Sequence, residues 1–111
     1  MEIVVKEFEQ AELITIQGRI DSVEAARFSQ ALEAANHRGK FKLVVDMNEL
    51  EYMSSAGFRA LLGAQRNSRR YNRGEVVLAS VPARIREALE LAGFTELFKS
   101  FDDPLSAVGH F

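Results

Sequence analysis

The stretch LVVDMNELEYMSSAGFRALL, residues 43–62, decides how the chain is read. It opens inside a short β-rich run, FKLVV (41–45), closed by Asp46. Asp46 is suited to anchor the following segment through backbone hydrogen bonds. MNELEYM then reads as a loop. From about Ala56 to Arg70 the period becomes helical, with Phe58, Leu61 and Leu62 as the inward stripe, helped by Ala64 and Gln65. Ser54 and Ser55 stand where strand and loop give way to helix.

Working outward, the same alternation recurs. MEIVVKEF and ELITIQG read as two strands joined by a short polar link, and short links make antiparallel hairpins. In the second strand Ile14 and Ile16 share one face, with Leu13, Thr15 and Gln17 on the other. After GRIDS, Ala25, Phe28, Leu32 and Ala35 recur at helical spacing, with Asp21 or Ser22 as N-cap and Gly39 at the end. Beyond the central helix, EVVLA (75–79) is a fourth strand. Pro82 fits the first turn of a third helix striped by Ile85, Ala88, Leu89 and Ala92 and ended by Gly93. LFKSF (97–101) reads as a fifth strand, and Asp103-Pro104 opens a last short helix.

The order β-β-α-β-α-β-α-β-α predicts an α/β fold. The sheet is mostly parallel, with four to five strands, an antiparallel N-terminal strand and about four helices. With 111 residues and no Gly/Ser-rich linker, residues 1–111 are read as one domain.

Composition narrows the function. Formal net charge is −2, from 14 basic and 16 acidic residues, without the basic excess of a dedicated nucleic-acid binder. No direct nucleic-acid partner is expected. There is no cysteine, so disulfides, thiolate chemistry and thiolate metal sites are absent. No apolar run is long enough to span a bilayer, and MEIVVKEFE does not read as a signal peptide, so the expected address is the cytoplasm. His37 and His110 are far apart in sequence and suggest neither a metal site nor a catalytic base. No cofactor is expected.

In an open α/β sheet, ligands gather beyond the carboxyl ends of the parallel strands. The loop after the second strand, read as Arg19–Ser22, lies at that end, and Ser54-Ser55 lie between the third strand and the second helix. If these strands are neighbours, their ends stand about 5 Å apart. Asp21 and Ser55 would then share a surface patch. The residues alone leave two readings open. Ser54 is an ordinary helix cap worth about 1 kcal/mol, with Gly57 there for close packing. Alternatively, the exposed serines carry the function. Asp21 has the same two readings, cap or contact, and they are compatible. Phe58 reads as core packing or as part of the patch. The arginines from Arg59 to Arg73 read as a solvated face or as a contact for an acidic surface.

The whole stretch LVVDMNELEYMSSAGFRALL resembles the signature of STAS domains, and among them the anti-sigma factor antagonists of bacterial partner-switching systems. Leu43 to Asp46 match the strand end, Leu50, Tyr52 and Met53 the loop, and Ser54, Ser55, Ala56 and Gly57 the four signature positions. QGRIDS and LASVPARIREALELAGFTELF match two further segments, so the resemblance covers most of the chain. It implies a non-enzymatic switch. Ser55 occupies the phosphoacceptor position, with Ser54 as the alternative acceptor. The unphosphorylated protein would bind an anti-sigma factor that is also its serine kinase, phosphorylation would end that binding, and a phosphatase would restore it. The partner-binding surface is expected at Asp21, Ser22, Ser54, Ser55, Ala56, Gly57, Phe58 and Arg59. One departure stands out: the family commonly has Asp where this chain has Ser54.

Rival readings fare worse. Serine hydrolysis lacks a placed base, and Gly-x-Ser-x-Gly is absent. A receiver domain would have its acceptor Asp at position 46, but there is no acidic pair at the end of a first parallel strand and no Gly-rich phosphate loop. Within the family, a docking subunit of a lipid-transport ATPase or a non-sigma partner-switching regulator remains as an alternative. The sequence leaves dimerisation open.

Overall fold

The polar link after β1 (Glu2–Glu7) turns the chain back on itself. β1 and β2 (Glu12–Ile20) pair antiparallel, from Glu2 opposite Gln17 to Glu7 opposite Glu12. The Phe8 N–H donates to the Ala11 carbonyl at 2.9 Å across the turn. The structure, a computed structural model, describes residues 1–111. After the hairpin come α1 (Glu24–His37), β3 (Lys42–Met53), α2 (Ser55–Arg69), β4 (Glu75–Ala79), α3 (Ala83–Leu91), β5 (Ser100–Phe101) and α4 (Pro104–Gly109). The sheet order is β1-β2-β3-β4-β5, and every pair after the first is parallel.

Because β2 to β5 advance in one direction, crossovers of one hand place their three helices on the same face. Phe28 and Leu32 of α1, Leu61 and Ala64 of α2, and Ile85 and Leu89 of α3 bury against Ile14, Ile16, Leu43, Val45, Val76 and Leu78. The opposite face carries a smaller cluster, in which Ala107 and Val108 of α4 cover Val44, Val77 and Ala79. The predicted stripe of α1 (Ala25, Phe28, Leu32 and Ala35) is the buried set found. Gly39 adopts φ +80° just past that helix and Gly93 φ +75° past α3, the left-handed conformation that glycine adopts at low cost.

Four local expectations need correction. MNELEYM is not a loop but the second half of β3. Its pairing with β2 slips twice: Thr15 and Gln17 face Asp46 and Glu49, then Gly18 and Arg19 face Leu50 and Tyr52. Each slip inserts an extra residue in β3, so burial falls on Met47, Leu50 and Met53 at every third position instead of every second. LFKSF is strand only at Ser100–Phe101, while Thr95–Leu97 forms a 3₁₀ turn and Phe98 sinks into the core. In α3, Pro82 stands at the N-cap, just before the helix, and Ala92 is exposed at its C-cap. In α2, Phe58 and Leu62 are only half-buried, and Gly57 and Ser68 are buried in addition to Leu61, Ala64 and Gln65.

Glu75, at the start of β4, ties the C-terminal end of the chain to the sheet. The His110 Nε2–H donates to its carboxylate at 2.7 Å, and Lys99 Nζ lies 3.3 Å away. Burial pushes the Glu75 carboxyl upward, but the hydrogen bonds and charges of His110 and Lys99 outweigh it and hold the group below its ordinary 4.5. A carboxyl depressed on folding stabilises the protein above its unfolded pKa, and that stability is lost as pH falls through the folded value. Glu75→Gln is therefore expected to lower stability at neutral pH and to close the gap to wild type below pH 4.5. Urea titrations across that range would show a steeper acid decline for wild type. Parallel curves would contradict the assignment.

Candidate functional site

The final rung of the β2–β3 pair, Ile20 beside Met53, sets the site. One step further the Ser54 N–H donates to the Ile20 carbonyl at 2.8 Å, so the entry to α2 is pinned to the residue before Asp21. Ser54 has extended backbone angles, φ −73° and ψ 168°. Its Oγ accepts the Gly57 N–H at 3.3 Å, and its carbonyl accepts the Phe58 N–H at 3.1 Å. Ser54 is thus the N-cap, and Ser55 is the first residue of α2. Ser55 is exposed and Ser54 half-buried.

Asp21 caps the neighbouring helix. Its Oδ1 accepts the Glu24 N–H at 2.8 Å, and its carbonyl accepts the Ala25 N–H at 3.0 Å. Ser22 makes no cap bond; it is exposed, as is Val23. Asp21 and Ser22 therefore flank Ser54 and Ser55 across one strand spacing, as the adjacent parallel strands require. Both caps leave their helix starts rigid, with Asp21 and Ser55 on the surface.

The rest of the set divides between support and surface. Ala56 is half-buried against the core. Gly57 is buried, and a Cβ there would stand 2.6 Å from Met53 Cγ and 3.2 Å from Ile20 Cγ2. Glycine lets α2 seat on the strand ends at this distance. Gly57→Ala gains helix propensity but must displace packed side chains, with an expected net loss of about 1–2 kcal/mol in urea denaturation. An unchanged or raised midpoint would show that Met53 yields freely. Phe58 is half-buried, edge-on to Phe94 with ring centroids 6.3 Å apart, so it belongs to the core margin. Arg59 lies one turn up α2, at a groove shared with Ser29, Glu33 and Asn36 of α1, beside the serines but not against them.

One contact at this end escaped sequence reasoning. Arg19 and Tyr52 are direct partners one rung back, and the guanidinium lies 4.6 Å from the ring centroid. Only the slipped register brings them together. The charge distribution also sharpens here. From Tyr52 to Gly74 there are five arginines and no acidic residue. Arg69 reaches Glu75 at 3.6 Å, and Arg73 stacks on Phe41 at 3.8 Å. No group of three or more His, Asp or Glu residues gathers as a metal site, and no helix is long and apolar enough to cross a membrane.

The geometry has known counterparts. A family model described as "Mlab, STAS domain" matches residues 3–99. A putative anti-sigma factor antagonist, BtrV of Bordetella bronchiseptica, is 34% identical over 83 residues, which are 75% of this chain and 71% of that protein. Among solved structures, a putative anti-sigma factor antagonist from Thermotoga maritima superposes with TM-score 0.88 at 14% identity, covering 97% of this chain and 92% of the other. The Bacillus cell fate determinant SpoIIAA in its phosphorylated form superposes with TM-score 0.77 at 14% identity over 98% of both chains. A match across nearly the whole sheet, together with a curated relative of this similarity, places the chain in the STAS domain family, in the type found in anti-sigma factor antagonists.

Proposed function

We propose that residues 1–111 act as one STAS domain serving as an anti-sigma factor antagonist in a partner-switching pathway. The patch of Asp21, Ser22, Ser54, Ser55, Ala56, Gly57, Phe58 and Arg59 binds an anti-sigma factor that is also a serine kinase. Phosphorylation of Ser55 releases that partner, and a phosphatase resets the switch. The observation that carries this reading is the placement of Ser55. It is exposed at the first position of a helix whose cap, Ser54, is itself bonded to the neighbouring strand end. A kinase therefore meets a free hydroxyl on a rigid support. The name of the Bordetella relative supports the same reading.

The helix N-terminus favours an added anion, so phosphate is tolerated by the fold and read by the partner. In this role the protein works by binding, and the chemistry belongs to the kinase and phosphatase. Ser54 in place of the family's Asp keeps open a second reading, a docking subunit of a lipid-transport ATPase, beside that of a non-sigma partner-switching regulator.

The test is incubation with ATP, magnesium and an ATPase-type anti-sigma kinase from the same organism, followed by intact mass and peptide mapping, with Ser55→Ala in parallel. One phosphate on Ser55, lost in the variant, is the expected result. Phosphate on Ser54 would move the acceptor. No phosphate, with a kinase active on another substrate, would favour the docking subunit.

A further inference from the structure

The sheet has one long open edge. β5 is two residues long, whereas β1 offers six residues with β2 as its only neighbour. Its pairing with β2 has no bulge, and it contains no proline, two of the devices that protect edge strands. Val4 is 57% exposed and Val5 44%, on opposite faces of the strand. Glu2 and Lys6 form no salt bridge within the chain: their cross-strand neighbours are Gln17 and Leu13, and Lys6 rests 5.1 Å from the Phe8 ring centroid.

We propose that this edge binds a second copy of the chain. The two β1 strands pair antiparallel about a two-fold axis at Val4, joining two five-stranded sheets into one. The spacing of charges in EIVVKE selects that register. With Val4 opposite Val4 of the partner strand, each Glu2 faces the partner's Lys6, and Ile3 faces the partner's Val5. Residues of one face meet residues of the same face, so the helices of both copies lie on one side of the joined sheet. Shifting by one residue sets Glu2 against Glu7 and turns the faces against each other. In-register parallel pairing sets every charge against its like, which is destabilising for directly opposed residues. Antiparallel pairing at Val4 is the arrangement that satisfies both charges and faces.

A six-residue strand pair buries less than the roughly 1,200 Å² of a stable interface, so the dimer is concentration-dependent. None of its residues belongs to the Ser54–Ser55 patch, so it stands apart from the switch and its test.

The chain lacks cysteine, which permits a register-specific test. Val4→Cys should form a disulfide-linked dimer under mild oxidation much faster than Leu91→Cys, a more accessible control at 86% exposure on α3. Sedimentation equilibrium should show a monomer–dimer equilibrium that weakens roughly tenfold in Lys6→Glu or Glu2→Lys and recovers in the double charge swap. Because the swap restores the pairs, a mere folding defect would not recover. A chain that stays monomeric to about 1 mM overturns the proposal. So does a dimer indifferent to Lys6→Glu, or a Val4→Cys that cross-links no faster than the control.

Discussion

Phosphate on Ser55 is expected to weaken binding of the anti-sigma partner by more than a hundredfold while leaving the fold unchanged. Ser55 is exposed at the first helical position, between the Ser54 cap and the seat made by half-buried Ala56 and buried Gly57. A partner packed on this surface meets a neutral hydroxyl. Phosphorylation adds close to two negative charges and three acceptor oxygens at that point. The Asp21 carboxylate already lies across the neighbouring strand end and adds like charge on that side. A desolvated, unpaired charge costs several kcal/mol, and a loss of about 3 kcal/mol is already more than a hundredfold in Kd.

The domain itself has little reason to respond. Ser54 Oγ holds the Gly57 N–H, and the other first-turn N–H groups favour an anion. Calorimetry of partner binding with phosphorylated and unphosphorylated protein would measure the effect, and far-UV circular dichroism would check the fold. Ser55→Ala should bind like the unphosphorylated protein. Ser55→Asp, with one charge and less bulk, should fall between them. A loss of less than about threefold, or a helical signal that collapses on phosphorylation, would contradict a switch acting at the interface.

The largest stability effect is expected at Gln65. Val76 in β4 points its backbone N–H and carbonyl toward the β5 side, where β5 reaches only Leu78 and Ala79. Gln65 supplies the missing strand. Its Oε1 accepts the Val76 N–H at 2.7 Å, and its Nε2 donates to the Val76 carbonyl at 3.0 Å and to Leu97 O at 2.7 Å. The side-chain amide thus stands where a peptide group would complete the ladder. Gln65→Leu keeps the bulk but leaves the buried Val76 N–H and carbonyl unpaired, each costing about 1–3 kcal/mol, while Leu97 O keeps the Arg69 guanidinium at 3.2 Å.

The expected loss is about 3–5 kcal/mol, a large part of the stability of a domain this size. Gln65→Glu should recover less than half, because a carboxylate accepts from Val76 but cannot donate. Urea denaturation would give the ranking wild type, Glu, Leu. A Leu variant within about 1 kcal/mol of wild type would mean that β4 finds other partners at Val76.

Much of the architecture was legible because its signals are local. The burial stripe of α1 repeats at 3.6 residues and needs no knowledge of what it packs against. Caps are equally local: Asp21, Ser54 and Asp103 each bind an N–H three residues on, as their side-chain chemistry and spacing suggest. The alternation of strand and helix then dictated a parallel sheet behind one hairpin, and that sheet set Asp21 beside Ser55.

What the sequence could not decide depends on partners distant in the chain. The second half of β3 hid its strand because two bulges, created by pairing with β2, broke the alternation that marks a strand. Arg19 and Tyr52 meet only through that slipped register. Gln65 looked like a helper in an apolar stripe until the shortness of β5 left Val76 without a neighbour. By itself the sequence determined the order of strands and helices and which side chains cap the helices, since periodicity and capping act within a few residues. The tertiary structure decided how far strands run and which polar groups must be answered by side chains, since register and edge exposure belong to no single segment.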